Sequence, residues 1–104
     1  MIVRVWSSGY DPARLDDLAA FCTRRLQPFF RDHDGCLACF FTHDDEEWRT
    51  ITFWRDQAAV DGVKDAAVYR ALLDELLASG VLRGSQTVRK MTSAGGGIFA
   101  PLPY

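Results

Sequence analysis

The chain has 104 residues and a mass of 11.7 kDa, is 48% hydrophobic and 25% charged, and carries 8 Gly and 4 Pro. This is the make-up of one folded domain and excludes disordered, collagen-like and low-complexity chains; so short a chain buries only about two thirds of its unfolded surface, so a partner subunit would help its core. The net charge is −2 and the 10 Arg and 2 Lys form no cationic stripe, which argues against nucleic acid as the main partner.

Ile2 to Trp6 is a short apolar, β-branched run and predicts a first strand, with Ser7-Ser8-Gly9-Tyr10 as a following loop. Asp11-Pro12 supplies an N-cap and a first-turn proline. Leu15, Leu18, Cys22, Leu26 and Phe29 then recur at helical spacing, predicting an amphipathic helix to about Phe30 that Pro28 should kink or end. Asp32 to Gly35 is a polar turn, and Cys36 to Thr42 a second strand. Asp44-Asp45-Glu46-Glu47 has the composition of a solvated hairpin turn rather than a metal-binding loop, and leads into a third strand, Trp48 to Trp54. Asp56 can cap a second helical stretch, Gln57 to Ser79, which carries Val60, Val63, Val68, Leu72, Leu73, Leu76 and Leu77 on a helical repeat. Gly62 and Asp65 suggest a break within it, and Gly80 an end. Ser85 to Met91 predicts a fourth strand, so the domain spans residues 1–92. Residues 93–104 are a Gly-rich linker and an apolar tail, Ile98, Phe99, Leu102 and Tyr104, expected to dock on a groove of its own or the partner protomer.

The order β-α-β-β-α-β predicts an α+β, ferredoxin-like protomer with both helices on one face of a four-stranded antiparallel sheet. The strands are apolar on both faces. Trp48, Thr50, Thr52 and Trp54 share one face of the third strand, Ile51 and Phe53 the other, and the first two strands are also apolar on both sides. Two helices cover one face only, so the same sheet of a second copy is expected on the other, making a homodimer.

No apolar run approaches the ~20 residues of a membrane span, and Met1 to Trp6 lacks the pattern of a signal peptide, which predicts a cytoplasmic protein with no membrane partner. Three cysteines in a reducing compartment do not make a disulfide framework. His33, Cys36, Cys39 and His43 have the spacing H-x2-C-x2-C-x3-H, which suggests zinc. On a regular strand, however, Cys36 and Cys39 project to opposite faces and cannot share an ion or a disulfide, so no metal is expected and both His are assigned to the surface. Cys22 falls on the core stripe. Trp6, Trp48, Trp54 and Tyr69 make either a filled core or an aromatic-walled pocket between sheet and helices.

Ile51-Thr52-Phe53-Trp54-Arg55-Asp56, then Ala58-Ala59, Val68-Tyr69 and Leu72, with Asp34-Gly35-Cys36 opening the second strand, resemble the antibiotic-biosynthesis monooxygenase family of the dimeric α+β barrel superfamily, over about residues 2–92. The resemblance implies protomers whose sheets pair into a barrel. It also implies, for some members, oxidation of aromatic polyketides to quinones without flavin, haem or metal, and for others haem degradation. Trp54 matches the tryptophan that ends the third strand in the quinone-forming branch. That branch's asparagine, tyrosine and helix arginine fall on Thr50, Val60 and Asp74, which departs from its pattern. The histidine and tryptophan of the haem-degrading branch fall on Leu73 and Val63, which argues against haem.

The resulting expectation is a cofactor-free, monooxygenase-like homodimer acting on a small aromatic or quinone-type molecule. Trp54 and Tyr69 are the candidate catalytic residues, and Trp6, Thr50, Thr52, Val63 and Leu73 the candidate substrate-binding residues. The alternative is a non-catalytic dimer of the same fold that binds a small ligand or a partner protein.

Overall fold

The computed structural model describes residues 1–103. Its strands are β1 (Ile2–Tyr10), β2 (Cys36–His43), β3 (Glu47–Trp54) and β4 (Leu82–Thr92). The first helical arm joins α1 (Leu15–Phe21) to α2 (Gln27–Asp32) through a π-turn at Cys22–Leu26, and the second is α3 (Gln57–Asp65) followed by α4 (Ala67–Ala78). The strands form one antiparallel sheet in the order β2-β3-β1-β4, the ferredoxin-like α+β arrangement.

Parity along the strands decides what is buried. Trp6 and Tyr10 of β1 and Trp48 and Trp54 of β3 point to the helices, where Leu18, Cys22, Leu26 and Phe30 of the first arm and Val60, Val63, Leu72 and Leu76 of the second close over them. The four residues of the first arm lie one helical turn apart, which keeps them on one stripe. Register puts Val3 and Val5 beside Phe53 and Ile51, with Phe40 packed against Phe53 at 5.8 Å, on the opposite face, away from both helical arms.

Several expectations are corrected. Ser7 to Tyr10 belong to β1 and are not a loop: Ser8 pairs with Trp48, and Gly9 faces both Glu47 and Arg83. A Cβ at Gly9 would lie 2.7 Å from the Arg83 carbonyl oxygen, so glycine here lets β4 approach. The first helical arm runs on to Asp32 through Pro28. The π-turn before it lets Gln27 N–H bond to the Cys22 carbonyl, five residues back, and accommodates a ring that an unbroken α-helix would clash with. Val68 is 61% exposed and Leu77 is also exposed, because the apolar stripe of α4 is wider than the sheet can cover. The tail residues Ile98, Phe99 and Leu102 are exposed within the protomer, and Tyr104 lies outside the described residues.

The cysteine geometry also differs from expectation. A β-bulge at Leu37 shifts the register between Cys36 and Ala38, so Cys36 pairs with Trp54 and Cys39 with Thr52, and both cysteines face the helices. An extra residue in the strand inverts the parity that put them on opposite sides. Among the described residues no group of three or more His, Cys, Asp or Glu is placed to hold a metal. Burial pushes the Cys39 thiol up to about 12, reinforced by Cys36, and raises Cys36 as well. Burial likewise pushes Cys22 up to about 12, reinforced by Cys39 and partly opposed by the nearby Trp48 indole N–H, which has no acceptor at hydrogen-bond geometry among the described residues.

Gly35 has φ +83°, and a Cβ there would collide with that of Ala59, so Gly35→Ala is expected to cost about 3 kcal/mol by urea denaturation. Gly84, at φ +71° with open space around it, should cost only about 1 kcal/mol. For Cys22 and Cys39 the folded chain keeps thiol protons that the unfolded chain releases near 9.0. Their contribution is therefore complete below pH 9 and is lost as pH rises towards 12. Denaturation from pH 8 to 11 should show stability falling with pH, and Cys39→Ala should flatten that fall.

Candidate functional site

The helix-facing layer gathers every residue singled out for a site. Trp6, Thr50, Tyr69 and Leu73 line a void between the sheet and the helices, together with the protonated Cys22, Leu26, Phe30 and Leu76. The void measures about 10 Å³, room for about one water, because the tryptophans and Phe30 fill the layer. Trp54, Thr52 and Val63 are fully buried beside it without lining it. Trp54 Nε1 donates to Thr52 Oγ1 at 2.8 Å, and that hydroxyl donates in turn to the Arg4 carbonyl at a long 3.5 Å. Both polar groups are thus spent inside the protein, and Trp54 presents its ring rather than its N–H.

Surface openings flank α2 on both sides, one of about 340 Å³ towards β2, lined by Phe30, Leu37 and Cys39 among others, and a larger one towards α4. The larger is a groove of about 440 Å³, lined by Arg25, Pro28, Phe29, Asp32, His33, Val68 and Leu72. Its floor leads inward through aromatic contacts. Phe29 lies 5.6 Å from Tyr69 and 5.3 Å from His33; His33 stands edge-on to Trp54 at 5.6 Å; and Phe30 touches both Tyr69 and Trp54. His33, assigned to the surface from its polar turn, is half-buried at the mouth of this groove, and its Nε2 lies close to Gly62 of α3. His43 remains exposed and stacks on Trp48.

The sequence reading missed Arg4. Its side chain is on the helix side of β1, between Ile2 and Trp6, and is 8% exposed. Nη2 donates to the Tyr69 hydroxyl at 3.2 Å, with the guanidinium carbon 5.6 Å from the Tyr69 ring centroid, while Nη1 is buried with no hydrogen-bond partner among the described residues. A signal was present: Arg4 has the same parity as Trp6, so burying one buries the other. The remaining charges near the groove are exposed. Arg25 holds Glu75 through two bonds of 3.0 Å, tying the two arms together. Asp56 caps α3 through Ala59 N–H, and that bond, with help from Arg55, holds its carboxyl below the usual carboxylate range.

The comparisons with known proteins agree with this architecture. The profile described as antibiotic biosynthesis monooxygenase matches residues 1–75. No curated protein matches the chain in sequence. Among solved structures, a monooxygenase of Streptomyces coelicolor in complex with nanaomycin D is 23% identical, with a TM-score of 0.76 over 95% of this chain and 92% of that one. A cofactor-independent oxygenase of Streptomyces nogalater, solved as a mutant, is 14% identical, with a TM-score of 0.75 over 91% and 94%. A protein of unknown function from Nitrosomonas europaea is 17% identical, with a TM-score of 0.76 over 96% and 95%. At these identities the structures share the fold, and with the profile covering most of the domain, the chain belongs to the antibiotic biosynthesis monooxygenase family.

Proposed function

We propose that the protein is a cofactor-independent monooxygenase of a small aromatic or quinone-type molecule, acting as a homodimer. The observation that carries this reading is the continuous aromatic wall from the α2–α4 groove to the interior, Phe29 to Tyr69 and Phe30 to Trp54, ending on the Tyr69 hydroxyl. At about 440 Å³ the groove is within the range of small-molecule sites, and the wall offers flat apolar surface to a ring system. Family membership supports the reaction class, as do the S. nogalater neighbour, an oxygenase that works without a cofactor, and the S. coelicolor neighbour, which holds nanaomycin D.

In this reading the substrate supplies every electron. An anthrone-type CH2 becomes C=O with one dioxygen molecule, one oxygen atom staying in the product and the other leaving as water. Tyr69 donates a hydrogen bond to the substrate oxygen, Trp6, Thr50 and Leu73 line the void that opens as the substrate enters past Phe29 or Tyr69, Trp54 and Val63 back it, and Thr52 fixes the Trp54 ring. The apolar face carrying Val5, Ile51 and Phe53 is covered by the same face of the second copy.

One observation favours the alternative of a non-catalytic binding or interaction dimer: the void between sheet and helices holds about 10 Å³, so substrate must enter by displacing Phe29 or Tyr69. Oxygen uptake separates the two readings. With a panel of hydroquinones and anthrone-type phenols under air, the wild type should exceed the no-enzyme blank. Tyr69→Phe should lose on the order of tenfold or more and Trp54→Phe less, as expected for a proton donor and a wall. Uptake equal to the blank across the panel, with ligands still raising the melting temperature, would leave the binding-module reading. For the assembly, sedimentation should give twice 11.7 kDa, and Ile51→Asp should split or unfold the dimer, since an unpaired buried charge costs several kcal/mol.

A further inference from the structure

We infer that the Arg4 guanidinium binds the ionised oxygen of the ligand, so that the site selects acidic aromatics as their phenolate or enolate; this rests on the reading above. A buried guanidinium is expensive unless it is paired, and proteins normally supply a carboxylate. Arg4 has none among the described residues: its one hydrogen-bond partner is the neutral Tyr69 hydroxyl, and Nη1 is left empty. On β4 its register neighbour is Lys90, whose partner is Asp61 of α3 at 4.0 Å, so the nearby acid is already engaged and does not compensate the guanidinium. The other titratable groups on this side are His33, beyond Trp54, and the thiols of Cys39, across Thr52 from Arg4, and Cys36, across Trp54 from Ile2.

Nη1 and the Tyr69 proton, which no hydrogen bond uses among the described residues, form two donors at the inner end of the aromatic wall, behind the void that Tyr69 lines and Arg4 does not, so a ligand reaches Nη1 as the Tyr69 ring gives way. Two donors, one of them cationic, suit a single anionic oxygen set on a ring. The ligand's ionisation is a simple balance: the phenol O–H bond breaks, its electron pair stays on the oxygen facing Arg4, and the proton goes to buffer. For a substrate that must give electrons to dioxygen, the ionised form is the one that reacts, so Arg4 would bind and activate in one contact.

The test uses full-length protein and 1,8-dihydroxyanthraquinone, a phenol whose visible absorbance reports its ionisation. The wild type should lower the apparent pKa of the bound dye by about one unit or more. Arg4→Met should abolish that shift and weaken binding of the anion about tenfold, while Arg4→Lys retains part of the shift and Tyr69→Phe reduces it. Without ligand, Arg4→Met should melt at or above the wild-type temperature, because it removes an uncompensated buried charge. A bound dye with an unshifted pKa, or the same shift in Arg4→Met, would overturn this inference and leave aromatic binding standing. An unliganded Arg4→Met melting well below wild type would make Arg4 a structural residue and overturn it too. A wild type that binds the dye in neither form would overturn both this inference and the aromatic-substrate reading.

Discussion

The contact between Arg4 of β1 and Tyr69 of α4 joins the sheet to the second helical arm through a charge that the fold has taken out of water. That charge lies within the helix-facing layer against Tyr69, with no carboxylate partner among the described residues. Trp6 and Trp54 belong to the same buried layer, and the Trp54 N–H is satisfied by Thr52, so the aromatic groups exclude solvent without leaving a polar atom of Trp54 unpaired. Tyr69 carries both roles, apolar towards Phe29 and Phe30 and polar towards Arg4. A stability argument alone would not choose arginine for this position, since a well-packed apolar side chain of similar size avoids the desolvation cost.

The opposite face of the sheet obeys a different constraint. Val3, Val5, Ile51 and Phe53 sit where neither helical arm reaches, and a domain of this size has little apolar area to leave uncovered. The proposed pairing with a second copy would leave the α2–α4 groove outside the barrel, since the groove and the face carrying Ile51 and Phe53 lie on opposite sides of the sheet. In the proposed dimer, binding and assembly would therefore draw on separate surfaces, joined only through the thickness of the sheet.

Much of this was legible from residue types and their periods. Alternation in Trp48 to Trp54 fixes which side chains meet the helices, and the stripe Leu18, Cys22, Leu26 does the same for the first arm. What escaped were features set by single insertions and by tertiary contact. The bulge at Leu37 has no local signal, yet it turns Cys36 and Cys39 onto one side. The π-turn before Pro28 is a response to a proline that simple rules treat as a helix stop. His33 reads as part of a polar turn because its partners, Trp54 and Phe29, come from other elements. Arg4 was hidden by the apolar residues around it: in Ile-Val-Arg-Val-Trp the eye follows hydrophobicity, while burial follows parity. The wide stripe of α4 had the opposite effect, suggesting burial for Val68 and Leu77 where the sheet offers none.

In the proposed site a small aromatic enters between α2 and α4 and reaches the Arg4 and Tyr69 donors. Side-chain NMR during titration with a hydroxyanthraquinone tests it most directly. Saturable shifts are expected in the rings of Phe29, His33, Tyr69 and Trp54 and in the Arg4 guanidinium, with Val5, Ile51 and Phe53 on the far face unmoved. Shifts confined to Val5, Ile51 and Phe53, with the Arg4 and Tyr69 signals unchanged at saturation, would contradict it.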